Sequence, residues 1–241
     1  MSAGTGSPPA KSTGSSAEKT GWPKLLSLAV HEFRSPLTVV SGYVRMLLKE
    51  RAGPLSEQQR RLLEEAEKSC GRLAVLLAEL SDLSNLEAGT AAFNRSRLDV
   101  HAALGEVIEG LPPLPDRTVS IELSGTSGGV HADATRLKAA LTSILLALRR
   151  ELVTSDRLGV RVERTSADGR PSVLITIAEA ARLDQLTNLQ PADLATFDEW
   201  RGGNGLGLVN ARLVIEAHQG RIWSTAEEEK SVALIAFPAV E

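Results

Sequence analysis

In the stretch LSLAVHEFRSPLTVVSGYVRML, residues 26–47, apolar side chains return at Leu26, Val30, Phe33, Leu37, Val40, Val44 and Leu47. Steps of three and four residues draw one stripe along a helix, a seam that buries itself against partner helices. His31 lies off that seam, and Ser35 and Thr38 share its outer face. The spacing therefore predicts a histidine displayed to water from a rigid helix. Glu32 sets a carboxylate beside it, and an imidazole so placed is suited to exchange a proton or a phosphoryl group.

Outward from this stretch, a first helix is expected over residues 23–50, ended by Gly53-Pro54. Ser56 followed by Gln59 reads as a capping box for a second helix, which carries apolar residues from Leu62 through Cys70 to Leu83 and ends near Gly89. Two long amphipathic helices with a tight connection form an antiparallel hairpin, here residues 22–90. One hairpin cannot cover so wide an apolar face, so two copies are expected to form a dimeric four-helix bundle. Residues 1–21, rich in Ser, Gly, Thr and Pro, read as a disordered tail.

From Phe93 to Glu241 the pattern is mixed. Strands are expected at 97–100, 119–123, 160–164, 173–178, 221–224 and 232–237, and helices at 101–109, 134–152 and 206–218. The fold class is α+β, a hairpin followed by an α/β sandwich. Gly203, Gly205 and Gly207 punctuate the loop that opens the last helix, a composition that lets backbone N–H groups approach an anion.

Composition narrows the function classes. The net charge is −3 and no long basic run occurs, so nucleic-acid binding has no electrostatic support. The single cysteine, Cys70, cannot form an internal disulfide, which fits a reducing cytoplasm. No apolar run reaches the length of a membrane span, and 241 residues leave no room for a sensor domain. His101, His131 and His218 have no neighbours at metal-ligand spacing, and Trp22, Trp200 and Trp223 read as packing residues.

The octet His31-Glu32-Phe33-Arg34-Ser35-Pro36-Leu37-Thr38 resembles the phosphoacceptor box of the histidine kinases of two-component signalling. Phe197-Asp198-Glu199-Trp200 and the glycine loop after it resemble that family's F box and second glycine box, and Asp133, Arg136 and Leu137 resemble the start of its N box. The resemblance implies a dimerisation and phosphoacceptor hairpin followed by a GHKL-type ATP-binding domain over residues 93–241. It implies that His31 accepts the phosphoryl group, that Glu32 orients the ring and takes its proton, and that Ser35 stands where the family orients water. Pro36 is expected to bend the helix just beyond His31. The cofactors it implies are ATP and Mg²⁺, with Arg150, Glu179, Gly203, Gly205, Leu206 and Gly207 at the nucleotide.

Two boxes depart from the family pattern. Ser143 and Ala147 stand where the family presents asparagines, and alanine has no oxygen for Mg²⁺. Glu179-Ala180-Ala181-Arg182-Leu183 stands in place of Asp-x-Gly-x-Gly. The resemblance thus implies a two-component signalling protein in which His31 passes a phosphoryl group to an aspartate of a response-regulator receiver domain. An ATP-independent histidine phosphotransferase stays open beside it. So does a pseudokinase scaffold that binds a regulator, a separate sensor or another kinase.

Overall fold

The computed structural model describes residues 16–152, 155–167, 169–187, 193–200, 205–225 and 232–240. Helix α1 runs from Ser16 to Leu48 and α2 from Glu57 to Glu87. The helix therefore begins inside the expected tail, seven residues before Pro23, and continues unbroken through Pro36. The Ser56 cap forms as read: its hydroxyl accepts from the Gln59 N–H and the Gln59 side chain accepts from the Ser56 N–H.

The hairpin buries only part of the seam. Leu26, Val30 and Val44 of α1 and Cys70 of α2 are buried, and Ser84 donates to the Pro23 carbonyl at 2.7 Å. Phe33 and Val40 are instead 61% and 51% exposed, because they point to the side of the hairpin rather than across it. With Trp22, Leu25 and Tyr43 they make an uncovered apolar stripe on α1, continued on α2 by Leu62 and Leu73.

Beyond the hairpin lie β1 (Ser96–Asp99), α3 (Val100–Glu109), β2 (Ser120–Gly125), β3 (Gly129–Ala132), α4 (Ala134–Glu151), β4 (Arg157–Ala167) and β5 (Arg170–Glu179). They are followed by β6 (Leu194–Thr196), α5 (Gly207–Ala217), β7 (Arg221–Thr225) and β8 (Ala233–Pro238). β1 and β3 form a small antiparallel pair. The main sheet has the order β2-β4-β5-β8-β7-β6, antiparallel except for the β2–β4 pair.

Alternation along the strands sends Val160 and Val162 of β4, Ile175 and Ile177 of β5 and Ile235 of β8 to one face, where α3, α4 and α5 cover them. α4 contributes Leu137, Leu141, Ile144, Leu145 and Leu148, spaced three and four residues apart and free of solvent. β3 and β6 were not expected from the sequence; four- and three-residue strands are too short to show an alternation. Trp200 is 73% exposed rather than packed. No helix among the described residues is long and apolar enough to cross a membrane.

Candidate functional site

His31 is carried on the outer surface of α1, its side chain 79% exposed, because Val30 beside it turns inward to α2. Its Nδ1 lies 3.6 Å from Glu32 Oε1, within ion-pair range. Nδ1 is the ring nitrogen in contact with the carboxylate, at a separation longer than a hydrogen bond. Ser35 is exposed one turn along the same face. Thr38 turns its hydroxyl back onto the Arg34 carbonyl at 2.8 Å, next to the main-chain gap left by Pro36, which has no N–H to donate.

The hairpin register also sets the height of this site. Pro23 lies level with Ser84, and Arg45 reaches Glu67 at 3.3 Å. Stepping along both helices at equal rise brackets His31 between Leu76 and Ser81 of α2. Glu79 falls within that bracket. It is nine residues, two and a half turns, beyond the inward-facing Cys70, so it points away from α1.

The second candidate region is the start of α5, and the structure brings α2 to it. The N-cap residue Leu206 has no side-chain cap of its own kind. Its N–H instead faces the Glu79 carboxylate, and partial burial pushes the Glu79 carboxyl above its ordinary value. One turn on, Asn210 donates to the Glu79 carbonyl at 2.8 Å. Arg136 of α4 lies 3.7 Å from Asp82 of α2. These residues, with Ser143 and Gly207, enclose a small cavity of about 180 Å³ between α2, α4 and α5.

The other boxes have structural partners. Asp133 caps α4 by accepting from the Arg136 N–H at 3.0 Å, and its second oxygen accepts from the Asn94 N–H at 2.8 Å. Those bonds hold its carboxyl below the usual range. The Asp133 N–H donates to His218 Nε2 at 2.9 Å, while His218 Nδ1 lies 2.7 Å from the Val214 carbonyl. His218 is thereby fixed as the neutral Nδ1–H tautomer, and burial lowers its pKa. Glu199 of the F box grips Arg212 of α5, which also pairs with Glu216 at 2.9 Å.

Of the residues expected at a nucleotide, Gly205, Leu206 and Gly207 lie together beside Ser143. Gly203 lies outside the described residues. Arg150 is exposed at the C-terminal end of α4, seven residues beyond Ser143 on the same helical face. Glu179 ends β5, paired with Leu158.

Leu183 follows a 3-10 turn at Ala180–Arg182 and is 7% exposed. It packs with Ala178, Leu186, Val232 and Leu234 on the sheet face opposite the helices, and only a glycine at position 159 leaves room for it. Arg161 fastens the segment by donating to the Leu183 carbonyl at 3.3 Å and the Thr187 hydroxyl at 3.1 Å. The loop that replaces Asp-x-Gly-x-Gly is thus part of a second apolar cluster.

The described residues at the two asparagine positions and at the α5 N-terminus depart from what Mg²⁺ and a phosphate need. Ala147 is buried in the helical layer and has no ligand oxygen, the Ser143 hydroxyl is turned to the Ala139 carbonyl, and a carboxylate already meets the α5 N-terminus. Glu79, Asp82 and Asn210 went unread in the sequence because no local pattern links α2 to a helix 131 residues away.

Residues 24–89 match the His Kinase A (phospho-acceptor) domain. The chain is 28% identical over 218 residues to the circadian input-output histidine kinase CikA of Synechococcus elongatus, covering 83% of this chain and 27% of that protein. It is 25% identical over 231 residues to the cell-division control histidine kinase PdhS of Brucella ovis, covering 89% of this chain and 22% of PdhS. The chain thus spans about a quarter of the length of these relatives. Its fold resembles that of full-length ShkA, solved in complex with AMPPNP, with a TM-score of 0.63 and 21% identity over 90% of this chain and 46% of that one. It also resembles the Acinetobacter baumannii histidine kinase AdeS, with a TM-score of 0.53 and 19% identity over 88% of this chain and 98% of AdeS. Residues 24–89 thus match a phospho-acceptor domain, the sheet domain behind them has the fold of the solved histidine kinases, and the chain is similar over most of its length to histidine kinases of two-component signalling.

Proposed function

We propose that the chain is a phosphoryl carrier of a two-component relay, with His31 receiving the phosphoryl group from a phosphorylated partner protein and delivering it to a response-regulator receiver domain. The observation that supports this most directly is the exposed His31 with the Glu32 carboxylate 3.6 Å from its Nδ1. The Nε2 lone pair forms the N–P bond as the P–O or P–N bond to the donor breaks, and Glu32 stabilises the proton kept on Nδ1. In the return step the receiver carboxylate attacks phosphorus and His31 leaves as the neutral imidazole. Ser35 is placed to orient water at the same face.

ShkA was solved with AMPPNP, and nucleotide is the phosphoryl source that the family resemblance implies. Here Ala147 and Glu79 favour a protein donor instead, so no step is drawn through ATP. The exposed stripe of Phe33, Val40 and Tyr43 supports pairing of two hairpins into a four-helix bundle.

Wild type and His31→Ala are compared in two assays. In one the protein is incubated with γ-labelled ATP and Mg²⁺, and in the other with a ³²P-labelled receiver domain. Label passing from the receiver to wild type alone, with none from ATP, is the expected result. Label from ATP on wild type alone makes the chain an ordinary kinase, and no label in either assay makes it a scaffold.

A further inference from the structure

The first turn of any α-helix leaves backbone N–H groups unpaired and a partial positive charge at its end. In α5 that end is met by a side chain from another folding unit. The Leu206 N–H faces the Glu79 carboxylate, which lies against the residues on either side of it. The two carboxylate oxygens straddle the loop: Oε2 would stand 3.5 Å from a Cβ at position 205, and Oε1 3.5 Å from a Cβ at position 207. Gly205 has φ +61°, so the loop turns tightly around the carboxylate in a conformation that glycine takes without strain. Leu76, one turn before Glu79, would lie 3.4 Å from the same position-205 Cβ, so the loop also rests on α2.

We propose that Glu79 is a built-in anion for the α5 N-terminus, an intramolecular latch that clamps the sheet domain onto the outer side of the phosphoacceptor hairpin. The helix end that the family resemblance assigns to phosphates is engaged by the chain's own carboxylate. The Asn210 bond to the Glu79 carbonyl and the Arg136–Asp82 pair, one turn further along α2, brace the same junction. The docked domain lies at the height of His31 on the other helix, so the clamp leaves the reactive face of α1 open. This assignment stands whatever the source of the phosphoryl group on His31.

The test is amide hydrogen exchange by mass spectrometry on the full chain, comparing wild type with Glu79→Gln, Glu79→Ala and, as a control on the exposed surface of α2, Glu64→Gln. Far-UV circular dichroism checks that each variant keeps its helices, and Glu79→Gln preserves the side chain's shape at the junction. Exchange across residues 205–210 should rise about tenfold or more in both Glu79 variants and stay at the wild-type rate in Glu64→Gln. Unchanged exchange in the Glu79 variants overturns the latch. Faster exchange in Glu79→Ala with wild-type exchange in Glu79→Gln overturns its anionic nature, since shape and a neutral acceptor would then suffice.

Discussion

Asn210 and Glu79 meet across the junction of hairpin and sheet domain, the side-chain amide of the first donating to the main-chain carbonyl of the second at 2.8 Å. A single neutral hydrogen bond contributes about 1 kcal/mol net. Asn210→Ala should therefore lower stability by about that amount in urea unfolding. The variant should also loosen α5 at its N-terminal end in hydrogen exchange, with the strands of the main sheet unaffected.

Gly159 and Leu183 form a matched pair: a Cβ at position 159 would stand 2.4 Å from Leu183 Cδ1. Gly159→Ala should cost roughly 1–3 kcal/mol by overpacking, and Leu183→Ala roughly 2–5 kcal/mol by opening a cavity. The double variant should lose clearly less than the sum, because each change relieves the other. Additive losses in a double-mutant cycle would show that the two residues do not share one site.

His218 is neutral in the fold, with its pKa lowered from 6.5, chiefly by burial. The unfolded chain therefore binds this proton first as pH falls. Its contribution to stability is complete above about pH 6.5 and declines below it, toward the depressed folded value. Urea midpoints measured from pH 7.5 to 5 should fall in wild type, and the slope should flatten in His218→Gln. Asp133 acts in a separate, more acid window, because its folded pKa lies below 3.8 and its support is lost only as pH drops through that value.

Glu32→Gln keeps the side chain's size and removes its charge beside Nδ1. Phosphoryl transfer from a labelled receiver to His31 should slow by about 10²-fold or more, within the span of general acid–base effects. Circular dichroism should be unchanged, since both side chains are exposed. A wild-type rate in rapid-quench measurements would remove Glu32 from the chemistry.

Phe33→Glu and Val40→Glu place a charge in the uncovered stripe of α1. Each should weaken self-association by on the order of 2–4 kcal/mol, as expected for anchor positions of an interface. Sedimentation velocity should show monomer in place of dimer. A sedimentation profile identical to that of wild type would mean that this stripe does not join two copies.

How much of this was readable in the sequence follows from the range of each interaction. The Ser56–Gln59 box, the helix expected over 134–152, and the apolar runs of β5 and β8 are local patterns, and the structure reproduces them within a few residues. The display of His31 followed from one helical period. Phe33 and Val40 share that period but not its burial, because a three-to-four spacing does not say which neighbour a face meets. The role of Leu183 depends on Gly159, and that of Glu79 on Leu206 and Asn210, pairs that no window of adjacent residues contains.

The connection between α2 and β1 has a mechanical consequence. Phe93 is held by the guanidinium groups of Arg95 and Arg136, 4.8 and 5.2 Å from its ring centre, and by the edge of His218 at 5.0 Å between ring centres. Asn94 is tied to the Asp133 cap, and Arg95 donates to the Ala217 carbonyl at the end of α5. The connection is therefore tied to both helices of the sheet domain. The start of α4 and the end of α5 are thus the two points at which the end of α2 hands the chain over to the sheet domain.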